Sequence, residues 1–150
     1  MIAGPPAHDD AFRRRRFLNW FPMGLTYALL YMGRYNLTVS KTALGALMTK
    51  EDFGVIFGVG TLVYAFALLL NGPLTDRFGG KRALLAAALG SGVMNLAMGL
   101  FVRAMLHARD PGAVNLRLWM SLLYAANMYF QCFGAVAVVK VNAHWFHVRE

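Results

Sequence analysis

Two apolar runs, Phe53 to Leu74 and Ala83 to Val102, lie back to back with only a short charged turn between them, which leaves little choice of fold. Each is about the ~20 residues that cross ~30 Å of hydrocarbon as an α-helix. Phe17 to about Val39 and about Leu118 to Val139 make two further runs of the same kind. The chain therefore reads as an all-α membrane protein with four transmembrane helices, spans 17–39, 53–74, 83–102 and 118–139. Only 15% of its residues are charged and 58% are hydrophobic, against about 25% charged in soluble domains. The net charge of +8 does not indicate nucleic acid, because the cations sit in short clusters at the ends of the apolar runs.

Those clusters set an expected orientation. Arg13, Arg14, Arg15, Arg16, Arg77, Lys81, Arg82 and Arg149 fall on one side, and Lys41, Lys50, Arg103, Arg109 and Arg117 on the other. The larger cluster marks the cytoplasmic face, so residues 1–16 read as a basic cytoplasmic tail on a multi-pass protein of the plasma or inner membrane. Met1 to Phe12 shows no apolar periodicity and reads as disordered. Arg13 to Leu18 matches the twin-arginine export pattern, but the long apolar run after it, with three more following, is not an export peptide. Ser40 to Asp52 and Arg103 to Leu116 become the outer loops.

The turn itself is Gly72-Pro-Leu-Thr-Asp-Arg-Phe-Gly-Gly-Lys-Arg82. Gly79 and Gly80 allow the backbone to reverse within a few residues, and Asp76, Arg77, Lys81 and Arg82 resist entry into hydrocarbon. The pattern Gly-x-x-x-Asp-Arg-x-Gly-x-Lys-Arg resembles the signature loop of the major facilitator superfamily. That resemblance implies conformational gating by Gly72, Asp76, Arg77, Gly79, Lys81 and Arg82, with the acid capping a helix of the other half of the molecule.

Polar residues recur at helical spacing inside the spans. Tyr27, Tyr31, Arg34, Thr38 and Lys41 share one face of the first. An arginine at the centre of a span costs about 2.5 to 3.5 kcal/mol, so Arg34 is expected to face a bundle interior or a watery cavity, the alternative being that it snorkels outward, since it lies past the midpoint of its span. Thr61, Tyr64, Leu68 and Asn71 form a mixed stripe on the second span, and Tyr124, Asn127, Gln131 and Gly134 a third stripe on the last. The last stripe fits either a cavity wall or interhelical hydrogen bonding. Gly54-x-x-x-Gly58 allows close helix approach. Span three, with Gly90, Ser91, Gly92 and Asn95, reads as a packing helix. Lys140 reads as snorkelling to the interface, and Cys132 as an inert packing residue. His144 and His147 lack a third ligand, so no metal site is expected, nor any cofactor. No nucleophile, base and orienting acid recur at a usable spacing, so the chain does not read as an enzyme.

Phe130-Gln-Cys-Phe-Gly134, then Lys140, His144-Trp-Phe146 and Arg149-Glu150, is similar to the fourth-helix signature of the organophosphate:phosphate antiporters. Arg34, within Met32-Gly-Arg-Tyr-Asn36, falls on that family's first-helix arginine, which contacts substrate phosphate. Two departures concern substrate choice. The family's Trp-Pro-Pro is Ala135-Val136-Ala137 here, and the glycerol-3-phosphate branch has a lysine where this chain has Leu68. Arg34 and Asn36 are also similar to the Arg-x-Asn of anion:cation symporters that carry sugar acids. The resemblance implies a twelve-helix fold of two six-helix bundles with substrate at the midplane, of which these four spans form part of the N-terminal bundle. The missing C-terminal helices, the lipid bilayer and a small anionic solute (phosphate ester, phosphate or carboxylate) are then the expected partners. The expected substrate-binding set is Arg34, Tyr27, Tyr31, Thr38, Tyr64, Asn127 and Gln131. A free-standing four-helix scaffold is the competing expectation.

Overall fold

The computed structural model describes residues 9–146, and among them there is no strand. Four long helices run α1 (Asp10–Leu44), α2 (Lys50–Phe78), α3 (Gly80–His107) and α4 (Leu116–Trp145), with short 3-10 turns at Gly45–Leu47 and Pro111–Ala113. At 28 to 35 residues they are about 42 to 52 Å long, so each extends past the hydrocarbon at its ends. α2, α3 and α4 are long and apolar enough to cross a membrane on length and composition alone. α1 does not join them, although it is the longest. Its basic start, and Asn19, Thr26 and Arg34 along it, dilute the apolar surface, so three of the four expected spans qualify by composition.

Local chemistry fixes the helix ends. Asp9 caps α1 by accepting from the Phe12 amide at 2.7 Å, which draws Asp10 to Arg16 into the helix rather than leaving them as a tail; Met1 to His8 and His147 to Glu150 lie outside the described residues. Thr49 and Asp52 form a capping box at the start of α2, and Asn115 accepts from the Leu118 amide at 3.0 Å at the start of α4. These satisfy amides that the first helical turn leaves orphaned. Arg117 then binds Asp52 at 2.6 Å and Glu51 at 3.0 Å, tying the starts of α2 and α4 together. The Thr49 hydroxyl first, and the Arg117 guanidinium second, hold the Asp52 carboxyl below the usual carboxylate range. Lys41, expected on the polar stripe, donates to the carbonyls of Gly45, which caps α1, and of Met48, which follows the 3-10 turn.

At the opposite end the reversal is tighter than the sequence suggests. Gly72 to Phe78 continue α2, with Pro73 inside the helix, and a single residue, Gly79 at φ 85°, turns the chain into α3. That left-handed conformation favours glycine. Gly80 is not part of the reversal: it opens α3, and a Cβ there would stand 2.6 Å from the Val141 side chain.

α4 is the central helix and packs along both α2 and α3. Of its most apolar stretch 44% is buried, against 17% for α2 and 22% for α3. Two apolar clusters hold the bundle. One joins Leu37, Ile56, Met98, Met120, Tyr124 and their neighbours, and the other joins Leu30, Ala83, Ala87, Phe133 and Ala137. Between them Ser91, Asn127 and Gln131 are buried as a polar layer. Leu69, Leu89 and Leu96 are largely exposed on the outer faces, as lipid-facing or helix-facing positions require.

Close helix approach occurs at glycines other than Gly54 and Gly58, where an added Cβ would meet nothing within 4 Å. At Gly60 it would stand 2.3 Å from the Tyr124 ring, and at Gly90 2.3 Å from Phe130. Overpacking of this kind costs about 1 to 3 kcal/mol. Gly60→Ala is therefore expected to destabilise the purified protein by that amount in thermal unfolding, and Gly58→Ala to stay within about 0.5 kcal/mol. Equal shifts for the two would contradict this packing of α2 on α4.

Candidate functional site

A recess of about 400 Å³ opens between α1, α2 and α4, lined by Tyr31, Arg34, Tyr35 and Thr38 from α1, Phe53, Phe57, Thr61 and Tyr64 from α2, and Tyr124 from α4. Arg34 lies 24 residues into α1, about 36 Å from its start, and is half-buried. Its Nε donates to the Gln131 Oε1 at 2.6 Å. Its guanidinium carbon sits 4.3 Å from the Tyr31 ring centroid and 4.7 Å from that of Tyr64. Each such cation–π contact contributes about 0.5 to 2 kcal/mol, more as water is excluded. Among the described residues Arg34 has no carboxylate partner. A guanidinium carries five N–H donors, and the bond to Gln131 engages the Nε donor.

Gln131 is itself held from behind. It is 1% exposed and donates to the Asn127 Oδ1 at 3.1 Å. The same oxygen accepts from Ser91 at 2.6 Å and from Asn95 at 3.1 Å, and Asn36 donates to Asn95 at 2.7 Å. One polar chain thus runs from Arg34 through α4 and α3 back to α1. The sequence places Asn127 in the binding set, but it is fully buried and joins helices instead of lining the recess. Gln131 does not line the recess either; it reaches Arg34 from the core side. Tyr27 stands one turn away, its hydroxyl donating to Tyr31 at 3.4 Å, and packs on an apolar cluster. Tyr31, Thr38 and Tyr64 line the recess as expected. Asn95 and Ser91 were read as packing residues and prove to be members of the polar chain. Their signal in the sequence is a polar pair four apart in an otherwise apolar span.

The other charged site lies about 18 Å further along α2 from Tyr64. Lys140 of α4 binds Asp76 at 2.6 Å and also donates to the Thr75 carbonyl at 3.2 Å. Lys140 therefore does not simply snorkel: its side chain carries the ammonium from α4 onto the acid near the end of α2. Arg77, Lys81 and Arg82 are exposed, and Gly72, Leu68, Ala135 and Val136 line a groove of about 410 Å³ beside the pair. Ala137, which follows Ala135 and Val136 in the sequence, is instead buried in an apolar cluster.

Membrane-length helices packed around a buried polar layer, with an arginine in an aromatic recess, define a polytopic α-helical membrane protein. The chain belongs to the Major Facilitator Superfamily, whose sequence model matches residues 23–150. It is similar to the membrane sensor protein UhpC of Salmonella typhimurium, 23% identical over 129 residues, covering 84% of this chain and 26% of that protein. It is also similar to the glycerol-3-phosphate transporter of Bacillus subtilis, 24% identical over 143 residues, covering 95% of this chain and 30% of that one. The chain thus spans between a quarter and a third of the length of these relatives. No solved structure gives a significant match.

Proposed function

We propose that this chain supplies part of the solute site of a secondary transporter that moves a small organic anion by alternating access, exchanging a phosphate ester for phosphate. Arg34 carries the reading: a half-buried charge among membrane helices, fixed by Gln131 and two tyrosine faces, without a carboxylate partner among the described residues. An arginine stays charged in a dry site and presents a planar fork to an oxyanion. The name of the Bacillus relative supports a phosphate ester. The name of the Salmonella relative supports a sensor, in which the same anion would be bound without being carried. A carboxylate carried by symport is the rival substrate, because Leu68 brings no second cation and lines the groove beside Asp76 instead. Tyr31, Thr38 and Tyr64 serve as neutral partners of the anion, and Gln131 as the residue that aims Arg34.

Competition binding to the purified full-length protein, with inorganic phosphate, glycerol-3-phosphate and a hexuronate, tests this. Arg34→Lys keeps the charge but loses the planar fork, and should weaken the bound anion ten- to a hundredfold, the loss of one charge-assisted hydrogen bond of about 1.5 to 3 kcal/mol. Gln131→Leu keeps the charge but releases its aim, and should weaken binding by about three- to tenfold. Unchanged affinity for every anion in Arg34→Lys would remove the arginine from the site.

Asp76 and Lys140 act as a gate in this proposal, since they lie too far along the bundle to touch a solute at Arg34. Asp76→Asn should lower turnover more than it lowers solute affinity. Lost binding with conformational exchange intact would exclude gating.

The N-terminus and the Gly79 turn are cytoplasmic in the same proposal, on the eight-to-five excess of cations. With Cys132 replaced, an impermeant thiol reagent on intact cells should label Ala113→Cys and spare Phe78→Cys. The opposite labelling would invert the topology.

A further inference from the structure

The start of α1 and the end of α4 meet at the same end of the bundle as Gly79, and they enclose a recess unconnected with Arg34. Its walls are Arg13, Arg16, Phe17, Trp20 and Phe146, around about 380 Å³. Aromatic contacts pin the two helix ends together. Phe12 and Trp145 have ring centroids 5.7 Å apart, and the Arg16 guanidinium carbon lies 4.9 Å from the Phe146 ring centroid. Trp20 and Phe146 also border a second recess, which continues along α4 past Val139, Asn142 and Ala143. A cationic mouth thus opens into a largely apolar furrow.

Two features select the occupant. Arginines at the first turns of a membrane helix stand at the level of lipid headgroups, where anionic lipid attracts each cation by about 1 kcal/mol. Phe17, Trp20 and Phe21 are each about half exposed, and aromatic side chains of that kind settle at the boundary between headgroups and acyl chains. A free phosphate would use the arginines and leave the furrow empty. A phospholipid uses both, its phosphodiester on Arg13 and Arg16 and the upper part of an acyl chain along Trp20, Val139 and Ala143.

We infer that this recess binds an anionic phospholipid, with its phosphodiester on Arg13 and Arg16. The Arg13–Asp10 ion pair, at 3.8 Å between exposed groups, is loose enough to yield to the lipid. Arg14 and Arg15 are exposed and do not line the recess, so they provide a matched control of equal charge. Beyond the spanning of a bilayer by the helices, the inference is independent of what the transporter carries.

Native mass spectrometry of the full-length protein, titrated with phosphatidylglycerol and with phosphatidylcholine of the same chains, reads the site directly. The wild type should retain the anionic lipid about tenfold better than the zwitterionic one. Arg13→Gln/Arg16→Gln should abolish that preference, and Arg14→Gln/Arg15→Gln should keep most of it. Millimolar inorganic phosphate should not displace the lipid. Equal loss in both double variants, no preference in the wild type, or displacement by phosphate would each overturn the assignment. A photoactivatable phosphatidylglycerol tests the wild type without any substitution. Its adducts should map to Trp20, Val139, Ala143 or Phe146, and adducts confined to other helix faces would also overturn it.

Discussion

The bond from Arg34 to Gln131 is the contact on which the interior depends. A guanidinium among membrane helices is costly unless its surroundings answer it, and here the answer requires three helices at once. α4 brings Gln131, α2 brings Tyr64, and α3 closes the polar chain through Ser91 and Asn95. The two apolar clusters flank this layer instead of merging, because the polar side chains of α3 and α4 occupy the plane between them. Buried amides of this sort contribute modestly one by one, about 0.6 kcal/mol each between membrane helices. Their larger effect is on geometry, since a side chain with one hydrogen-bonded orientation cannot wander.

Steric fit does for the helix backbones what the polar chain does for the arginine. Gly60 receives Tyr124 and Gly90 receives Phe130, so that α4 seats large side chains in notches on α2 and α3, and its own Gly134 receives Leu30 of α1. In lipid there is little hydrophobic drive between helices, and such close contact carries much of the association. The ends are fastened electrostatically: Arg117 with Asp52 and Glu51 at one end of the α2–α4 pair, Lys140 with Asp76 at the other.

The all-α membrane class and the polar faces could be read from the sequence because each rests on a local periodicity. Tyr31, Arg34 and Thr38 were legible as one polar face for that reason. What was not legible depended on partners distant in the chain. Whether Asn127 lined a cavity or joined helices turned on Ser91 and Asn95, 36 and 32 residues away. Lys140 looked like an interfacial lysine until Asp76, 64 residues earlier, was brought beside it. Gly54-x-x-x-Gly58 had the right spacing for a close approach but points away from the neighbours, while Gly60 points at one. The length of α2 was underestimated because Pro73 and Gly72 suggested a turn, and a proline inside a membrane helix is readily accommodated by its surroundings.

The bond between Arg34 and Gln131 joins positions 97 residues apart, which has a consequence for biogenesis. In a chain inserted as it is made, at about 5 to 20 residues per second, α1 waits on the order of 5 to 20 s before α4 exists. During that interval its arginine must be hydrated or shielded without Gln131, with only Tyr31 and then Tyr64 of its final neighbours at hand. α2 and α3, joined through one residue, enter as a single hairpin and cannot supply Gln131. The membrane-inserted intermediate therefore differs from the finished bundle most at the position that the finished bundle holds most firmly.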